Sequence, residues 1–248
     1  MDNNINTKHD GAAVIAEYLI AQNVPYVFGV CGHGNIGFLD ALHARQDQIK
    51  TISVHHESVA GFMADVYYRV SGQPTATFTS CGPGSANLPI SMGNAYLDSV
   101  PFYAITGNVP TSQFGRGAFQ ELYRHYQADF PSTVRAYCKR VFQPTTATQL
   151  PIMVRQAWKT MVTGRPGPVL VDIPKDVTRN RCRFEYPESV SMRSYNPVVK
   201  GHQGQIRKAL SLLLAAERPM VYTGGGIILG NAADRKSTRL NSSHITIS

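Results

Sequence analysis

The sequence predicts an α/β fold in which a doubly wound parallel sheet carries helices on both faces. Two observations lead to this prediction. Short apolar strand candidates alternate with helix candidates along most of the chain, and such alternation is typical of parallel sheets. The composition, 43% hydrophobic and 16% charged among 248 residues, is that of a globular protein large enough to bury a full core.

The first half of the chain supplies most of the predicted sheet. Asp10 is a suitable cap for a helix over residues 11–22. The following candidates are, in order, a strand at 26–30, a helix through Phe38 and Leu42, a strand at 50–54, a helix from Glu57, a strand at 75–79, a helix through Leu88 and Met92, and a strand at 102–106. After an irregular stretch, a helix near 149–162 and a strand at 169–173 complete the pattern.

Glu57 lies at an informative point of this pattern. It follows a short strand and begins a helix, which places it at the carboxyl edge of a parallel sheet, where open α/β proteins bind ligands. Five apolar residues of its helix recur at the spacing of one helical face and are predicted to be buried: Val59, Met63, Val66, Tyr67 and Val70.

The chain changes character after residue 178, which ends the predicted first domain. Residues 179–201 contain Pro187 and Pro197 and show little periodicity, which indicates a linker. Residues 202–233 are interpreted as the start of a second, Rossmann-like α/β domain. It consists of an amphipathic helix through Ile206 and Leu210, a strand at 219–223 and the glycines at 224–226.

The segment 234–248, DRKSTRLNSSHITIS, does not continue this pattern. It reads, codon for codon, as a translated sequencing-library adapter, and we expect it not to be native; a natural polar tail is the alternative. Without it the formal charge falls from +8 to +6, because three basic residues and one acidic residue are removed. We therefore expect the native protein to continue beyond Ala233.

Charge and hydropathy argue against several classes of partner. The basic residues are dispersed and no nucleic-acid-binding motif accompanies them, so a nucleic-acid partner is not expected; their charge could equally favour an anionic substrate and cofactor. No apolar run approaches the roughly 20 residues of a membrane-spanning helix, so no membrane partner is expected. The polar N-terminus lacks the apolar core of a signal peptide, which makes the cytoplasm the default location.

The cysteine pattern indicates neither a zinc site nor a disulfide framework. The four cysteines form no CxxC pair and are expected to be buried, reduced thiols: Cys31, Cys81, Cys138 and Cys182.

Seven segments, in order, resemble the thiamine-diphosphate enzymes of the acetolactate synthase and pyruvate oxidase type. They are VFGVCGHGN, HHESVAGFMADVYYRVSG, CGPGSANL, LDSVPFYAITGNVP, GAFQE, GRPGPVLVDIPKDV and RPMVYTGGG, and they cover about residues 10–233. The resemblance implies that residues 1–178 are the domain that binds the pyrimidine ring of thiamine diphosphate. It also implies a homodimer or homotetramer with the site at the subunit interface, because in that family this domain faces the diphosphate-binding domain of a neighbouring subunit.

Glu57 matches the catalytic glutamate of that family. A carboxyl group bonded to N1′ of the aminopyrimidine favours the 4′-imino tautomer, which removes the proton from C2 of the thiazolium ring. The protein's task is then to position the cofactor's own reactive atom. The alternative is a glutamate favoured at a helix N-terminus only by the helix dipole.

The resemblance extends to further site residues. It implies cofactor-binding roles for Gly32, Gly82, Asn87 and Gln120, and substrate-side roles for His33, His56, Phe119 and Lys139. Each has a structural alternative, such as a strand-to-helix turn for Gly82, strand-end packing for His56, and ordinary loop or surface chemistry for the others. Cys31 stands where the family usually has proline, which leaves the shape of the CGHGN loop open. No metal ligands are expected in this chain.

The implied activity of the full-length protein is decarboxylation of a 2-oxo acid followed by transfer to a second carbonyl compound. A simple decarboxylase or an oxidase on the same scaffold is the alternative, and a noncatalytic nucleotide-binding α/β module is an alternative of another class. The chain lacks the GDG…N motif with which the family holds Mg²⁺ and diphosphate. It is therefore expected to be inactive alone, with Mg²⁺ bound through a C-terminal domain. FAD is a further candidate cofactor, because the glycines at 224–226 resemble the start of the domain that binds it in some members.

Overall fold

The computed structural model of the chain describes residues 9–115 and 130–232. The described residues divide between two compact units, Met1–Pro197 and Val198–Ser248. The first unit contains a six-stranded parallel sheet, which confirms the predicted fold class. Its strands, in spatial order, are β3 (Lys50–Ser53), β2 (Tyr26–Gly29), β4 (Ala76–Thr79), β5 (Tyr103–Asn108), β7 (Val169–Pro174) and β6 (Arg140–Phe142).

Helices cover both faces of the sheet. In the first unit they are α1 (Gly11–Ala21), α2 (Ile36–His43), α3 (Glu57–Ser71), α4 (Pro83–Ala86), α5 (Pro89–Leu97), α6 (Phe130–Val134), α7 (Leu150–Val162) and α8 (Lys175–Arg179). Two short strands, β1 (His9–Asp10) and β8 (Arg181–Cys182), pair antiparallel beside them. The predicted cap of α1 is confirmed, since Asp10 Oδ1 accepts a hydrogen bond of 2.7 Å from the Ala13 amide.

Two separate apolar cores follow from this layering. Residues of α1, α2 and α7 pack on one face of the sheet, and residues of α3, α5 and α6 pack on the other. Residues at the start of β5 divide between them, because Tyr103 and Ile105 belong to the first core while Ala104, and Phe102 just before the strand, belong to the second. This alternation is the period of two expected along a strand.

The buried face of α3 differs from the prediction. Val59, Val66 and Val70 are 45%, 57% and 84% exposed, and the buried residues are instead Ala60, Gly61, Ala64 and Asp65. The reason is the close approach of α5, which leaves room only for small side chains along the contact. Buried Asp65 accepts hydrogen bonds from Arg69 and from Asn94 of α5, which further ties the two helices together.

Residues 181–195, predicted as part of a linker, make contacts within the first unit. The hydroxyl of Tyr186 donates to the carbonyl of Val14 in α1. Tyr195 lies beside Lys139, whose ammonium group is 2.9 Å from the tyrosine hydroxyl. These contacts cover the outer surfaces of α1 and α7.

The second unit contains α9 (Gln203–Ala215) and α10 (Gly226–Leu229) among its described residues. The strand predicted at 219–223 is not formed there. A strand requires a hydrogen-bonded partner, and the described part of this unit offers none. No helix in the described parts of the chain is long and apolar enough to cross a membrane.

Candidate active site

The strand order creates a switch point between β2 and β4. The chain leaves β2 toward β3 on one side and later returns to form β4 on the other side of β2. The loops at the carboxyl ends of β2 and β4 therefore diverge and leave a crevice, which is where open α/β sheets bind ligands. Glu57 follows β3 at the same edge.

Glu57 is the first residue of α3 and is partly buried. His56 caps this helix, with its Nδ1 atom 2.7 Å from Ser58 Oγ and 3.3 Å from the Ser58 amide nitrogen. The Nδ2 group of Asn87 donates a hydrogen bond of 2.9 Å to Glu57 Oε2. The carboxylate is thus held by a residue that lies 30 positions later in the chain.

The other carboxylate oxygen of Glu57 lies beside Gly84. A Cβ atom added to Gly84 would be 3.0 Å from Glu57 Oε1 and 3.5 Å from the Cβ of Ser80. Gly82, just before, has φ +62° and ψ −123°, a conformation that favours glycine. The glycines of the Cys81–Leu88 turn therefore keep the space next to the carboxylate free of side chains.

The CGHGN loop has a defined shape held by Asn35. This buried side chain accepts a hydrogen bond of 3.0 Å from the Gly32 amide and donates one of 2.9 Å to the Val30 carbonyl. The Gly32 carbonyl accepts a hydrogen bond from the Asn35 amide at 3.1 Å. Both backbone polar groups of Gly32 are therefore used inside the loop.

Close backbone packing connects this loop to the neighbouring strands. The Gly34 amide donates to Ser80 Oγ at 3.2 Å, and a Cβ on Gly32 would lie 2.5 Å from the Cβ of Ser80. A Cβ on Gly107 of β5 would lie 2.8 Å from the Cα of Gly34. Ser80 thus lies between the CGHGN loop and the glycine beside Glu57.

The structure brings together Glu57, Asn87, Gly82 and Gly32 at the crevice. It places His33 in the same loop as Gly32, partly buried, whereas Cys31 is exposed rather than buried as expected for the cysteines. The imidazole of His56 is exposed and caps α3. Phe119 and Gln120 lie outside the described residues.

Lys139 does not lie at the crevice. It precedes β6, which runs parallel to β7, so it lies at the amino edge of the sheet, opposite the edge that carries Glu57. Its ammonium group donates to the Thr163 carbonyl at 2.7 Å and lies 5.1 Å from the centre of the Tyr195 ring. These contacts give Lys139 a packing role, and the structure does not bring it to the crevice.

A second polar cluster lies near the carboxyl edge of the sheet, and the sequence analysis did not predict it. Buried Asp172 of β7 accepts hydrogen bonds of 2.7 Å from Thr106, Asn108 and Gln143. Its partners lie 29 to 66 positions away in the chain, so no local spacing indicates them. The same is true of Ser80 and Gly34, which are 46 positions apart. In residues 9–115 and 130–232, no group of three or more His, Cys, Asp or Glu side chains is arranged to hold a metal ion.

The arrangement suits a flat heterocycle that carries a ring nitrogen. A carboxylate of which one oxygen is fixed by Asn87 and the other lies beside a glycine can share a proton with such a nitrogen at short range. The backbone can approach the ring closely where glycines replace side chains.

Comparison with known proteins agrees with this chemistry. Residues 9–128 match the family model of the thiamine pyrophosphate enzyme, N-terminal TPP binding domain. The chain is 38% identical over 226 residues to the acetolactate synthase large subunit of Buchnera aphidicola from Schizaphis graminum, which covers 90% of this chain and 38% of that protein. It is 40% identical over 220 residues to the acetolactate synthase isozyme 3 large subunit of Escherichia coli, covering 88% and 37%.

A third relative, the acetolactate synthase large subunit of Haemophilus influenzae, is 39% identical over 230 residues, covering 92% of this chain and 39% of that protein. The chain therefore spans less than two fifths of the length of the relatives it matches. The matched segment contains the sheet edge, the CGHGN loop, Glu57 and Asn87 described above. Residues 9–128 of this chain are thus similar to the N-terminal TPP binding domain of the thiamine pyrophosphate enzymes.

Proposed function

We propose that the complete protein is a thiamine-diphosphate-dependent carboligase of the acetolactate synthase type. It would decarboxylate a 2-oxo acid and transfer the remaining acyl unit to a second carbonyl compound. The observation that carries this proposal is the Glu57 carboxylate, fixed by Asn87 at the switch point of the sheet. The names of the relatives, all acetolactate synthases, support carboligation over the decarboxylase and oxidase alternatives.

The residues at the crevice fit the pyrimidine end of the cofactor. A Cβ atom at Gly84 would come within 3.0 Å of Glu57 Oε1, so the glycine leaves this oxygen unshielded by a side chain at residue 84. When bound, thiamine diphosphate would supply a carbon nucleophile and an electron sink for the decarboxylation of the 2-oxo acid. Glu57 would hold a proton at the N1′ atom of the ring, while Gly82 and Gly84 allow the ring to approach.

The CGHGN loop would form one wall of the substrate space. Because both backbone polar groups of Gly32 are used within the loop, Gly32 would contribute close approach rather than a hydrogen bond to the cofactor. His33, held in the same loop, is then the group that would face the 2-oxo acid, since the ring nitrogens of an imidazole can donate a hydrogen bond to a carboxylate. Phe119 and Gln120 remain proposed for the cofactor and substrate region by resemblance.

The remaining cofactor groups and the assembly are also proposals. Mg²⁺ and the diphosphate would be bound by a domain beyond this chain, which the greater length of the relatives supports; FAD would bind through the domain that begins after residue 201. The protein would act in the cytoplasm as a homodimer or homotetramer with the site at the subunit interface. The exposed apolar residues of α3, the helix that begins at Glu57, support an interface there.

The decisive experiment is Glu57→Gln in the complete protein, assayed for carbon dioxide release and products with pyruvate. We expect turnover to fall by about a hundredfold or more, the range for loss of a proton-transferring group. Glu185→Gln, which alters an exposed glutamate outside the crevice, is the matched control and should be unchanged. Unchanged turnover in Glu57→Gln would show that Glu57 is not a catalytic residue, whereas no turnover in the parent protein would support a noncatalytic nucleotide-binding module. Acetolactate as the product would favour the carboligase, whereas acetaldehyde or acetate would favour the decarboxylase or oxidase.

A further inference from the structure

The backbone of Asn87 is held in place by its neighbours in the chain. It follows the short helix α4, and its amide donates to the Pro83 carbonyl at 3.2 Å. Proline residues at 83 and 89 restrict the backbone before and after it, and the neighbouring Leu88 is fully buried. The side-chain amide is therefore held in place by its backbone.

The two oxygens of Glu57 have different surroundings. Oε2 accepts the Asn87 hydrogen bond at 2.9 Å, whereas Oε1 lies beside Gly84, where a Cβ atom would come within 3.0 Å of it. A glutamate side chain has several rotatable bonds and loses conformational entropy when it is fixed in one orientation. A hydrogen bond to a charged acceptor is stronger than one between neutral groups and therefore opposes this loss.

We propose that Asn87 acts on Glu57 and not directly on the cofactor. Asn87 is a positioning residue that fixes Oε2 so that Oε1 is the oxygen presented to the pyrimidine nitrogen. This inference rests on the proposed function and replaces the cofactor-binding role that the sequence resemblance implied for Asn87. It predicts that the effect of Asn87 on cofactor affinity depends on the presence of the Glu57 carboxylate.

The first test uses an isosteric change with a matched control. Asn87→Asp keeps the shape of the side chain but replaces the donor with a second carboxylate facing Glu57. Asn94→Asp makes the same change opposite a different carboxylate, Asp65, which Asn94 Nδ2 contacts at 2.6 Å on the far part of α3. Both changes place like charges together and should reduce stability, but only Asn87→Asp should affect the site.

In the complete protein we expect Asn87→Asp to lower kcat at least tenfold with KM for pyruvate within about threefold of the parent, because Asn87 does not contact the substrate. Asn94→Asp should change neither constant more than about twofold. If the two variants have the same kcat, the inference is overturned. If Asn87→Asp fails to fold, Asn87→Ser replaces it in the assay. Because serine retains a donor on a shorter side chain, its kcat should also be lower than that of the parent, but by a smaller factor.

The second test separates action through Glu57 from direct contact. The dissociation constant of thiamine diphosphate is measured by calorimetry for Asn87→Ala, Glu57→Gln and the double variant, with Mg²⁺ present. Asn87→Ala alone should weaken binding about threefold or more, but should add nothing in the Glu57→Gln background, because coupled residues are not additive. Additive effects would show direct contact with the cofactor and overturn the inference.

Failure of this inference differs from failure of the proposed function. If Glu57→Gln loses turnover while Asn87→Asp behaves as Asn94→Asp does, only the role of Asn87 is wrong. If Glu57→Gln retains full turnover, the catalytic role of Glu57 is wrong, and if the parent protein shows no turnover, the proposed function itself is wrong.

Discussion

Gly61 of α3 and Ser91 of α5 meet where the helix that begins at Glu57 lies closest to its neighbour. A Cβ atom added to Gly61 would be 2.6 Å from the Cβ of Ser91, which is closer than two non-bonded carbon atoms approach in proteins. The contact lies about one helical turn after Glu57. The orientation of the catalytic candidate therefore depends on the absence of a side chain at residue 61.

The first prediction follows from this contact. Gly61→Ala should lower the free energy of unfolding by about 1–3 kcal/mol, the usual cost of an extra methyl group in a packed interior. The measurement is urea unfolding of the chain followed by circular dichroism. Gly37→Ala in α2 is the control, because its new Cβ would lie 3.4 Å from Thr178 Oγ1, an ordinary contact, and helix propensity then favours alanine by about 1 kcal/mol.

Two outcomes would contradict the prediction for Gly61. One is that Gly61→Ala unfolds at the same urea concentration as Gly37→Ala. The other is that adding Ser91→Gly, which removes the opposing Cβ, restores none of the loss.

The same helix shows what the sequence could and could not predict. The strand, glutamate and helix order around Glu57 is local, and the sequence located the residue at the sheet edge. The prediction of its buried face was wrong. The spacing of Val59, Val66 and Val70 identifies an apolar face of the helix, but it does not identify the element that would cover that face. The small residues that pack on α5 give no hydrophobic signal, and their partner Ser91 is 30 positions from Gly61 in the chain.

The sequence also did not predict features that depend on contacts between residues far apart in the chain. Strand β6 has three residues, begins with an arginine and lies at the edge of the sheet, so only its register with β7 identifies it. Likewise, the resemblance indicated both Glu57 and Asn87 but not the hydrogen bond between them. This hydrogen bond joins residues 30 positions apart and depends on the positions of β3 and β4 on either side of β2. The spacing of residues along the chain does not reveal that strand order.

The second prediction concerns alkaline pH. Tyr18 is buried in an aromatic cluster, with its ring 5.3 Å from that of Tyr186 and 6.4 Å from that of Trp158. Burial raises the pKa of Tyr18 to about 12, opposed in part by the charge of Arg155. Burial also raises the pKa values of Tyr103 and Tyr186.

Because the raised pKa belongs to the folded state, the unfolded phenol ionises first. This contribution to stability is fully present below pH 10 and is lost as the pH rises from about 10 to 12. The free energy of unfolding should therefore fall steeply over that window, as measured by urea titrations at several pH values. Tyr18→Phe should make the fall shallower, whereas Tyr222→Phe, which alters an exposed phenol, should leave the slope unchanged. An identical slope in both variants would contradict the assignment.

The buried thiol of Cys138 adds to the same loss. Burial raises its pKa to about 12, so it also remains protonated in the folded chain while it ionises in the unfolded chain. Cys138 is present in both tyrosine variants, so its contribution cancels in the difference between their slopes.

The third prediction concerns assembly of the complete protein. Val59, Phe62, Val66 and Val70 recur along one face of α3 and are each more than a third exposed, and Ile90 and Leu97 of α5 are 68% and 76% exposed. Exposed apolar patches of this kind mark interaction surfaces. Since α3 begins at Glu57, a second copy bound there would also enclose the crevice, as the proposed subunit-interface site requires.

Val66→Lys should therefore weaken self-association, because it places a charge in the middle of the patch. Sedimentation velocity over a dilution series should show dissociation at a concentration at least tenfold higher than for the parent, and activity should be lost on dilution over the same range. Val198→Lys, at a residue that is 90% exposed outside the patch, is the control and should leave both curves unchanged. If Val66→Lys remains assembled to the same dilution as Val198→Lys, the subunits meet through a different surface, and the apolar face of α3 must be covered by another part of the complete protein.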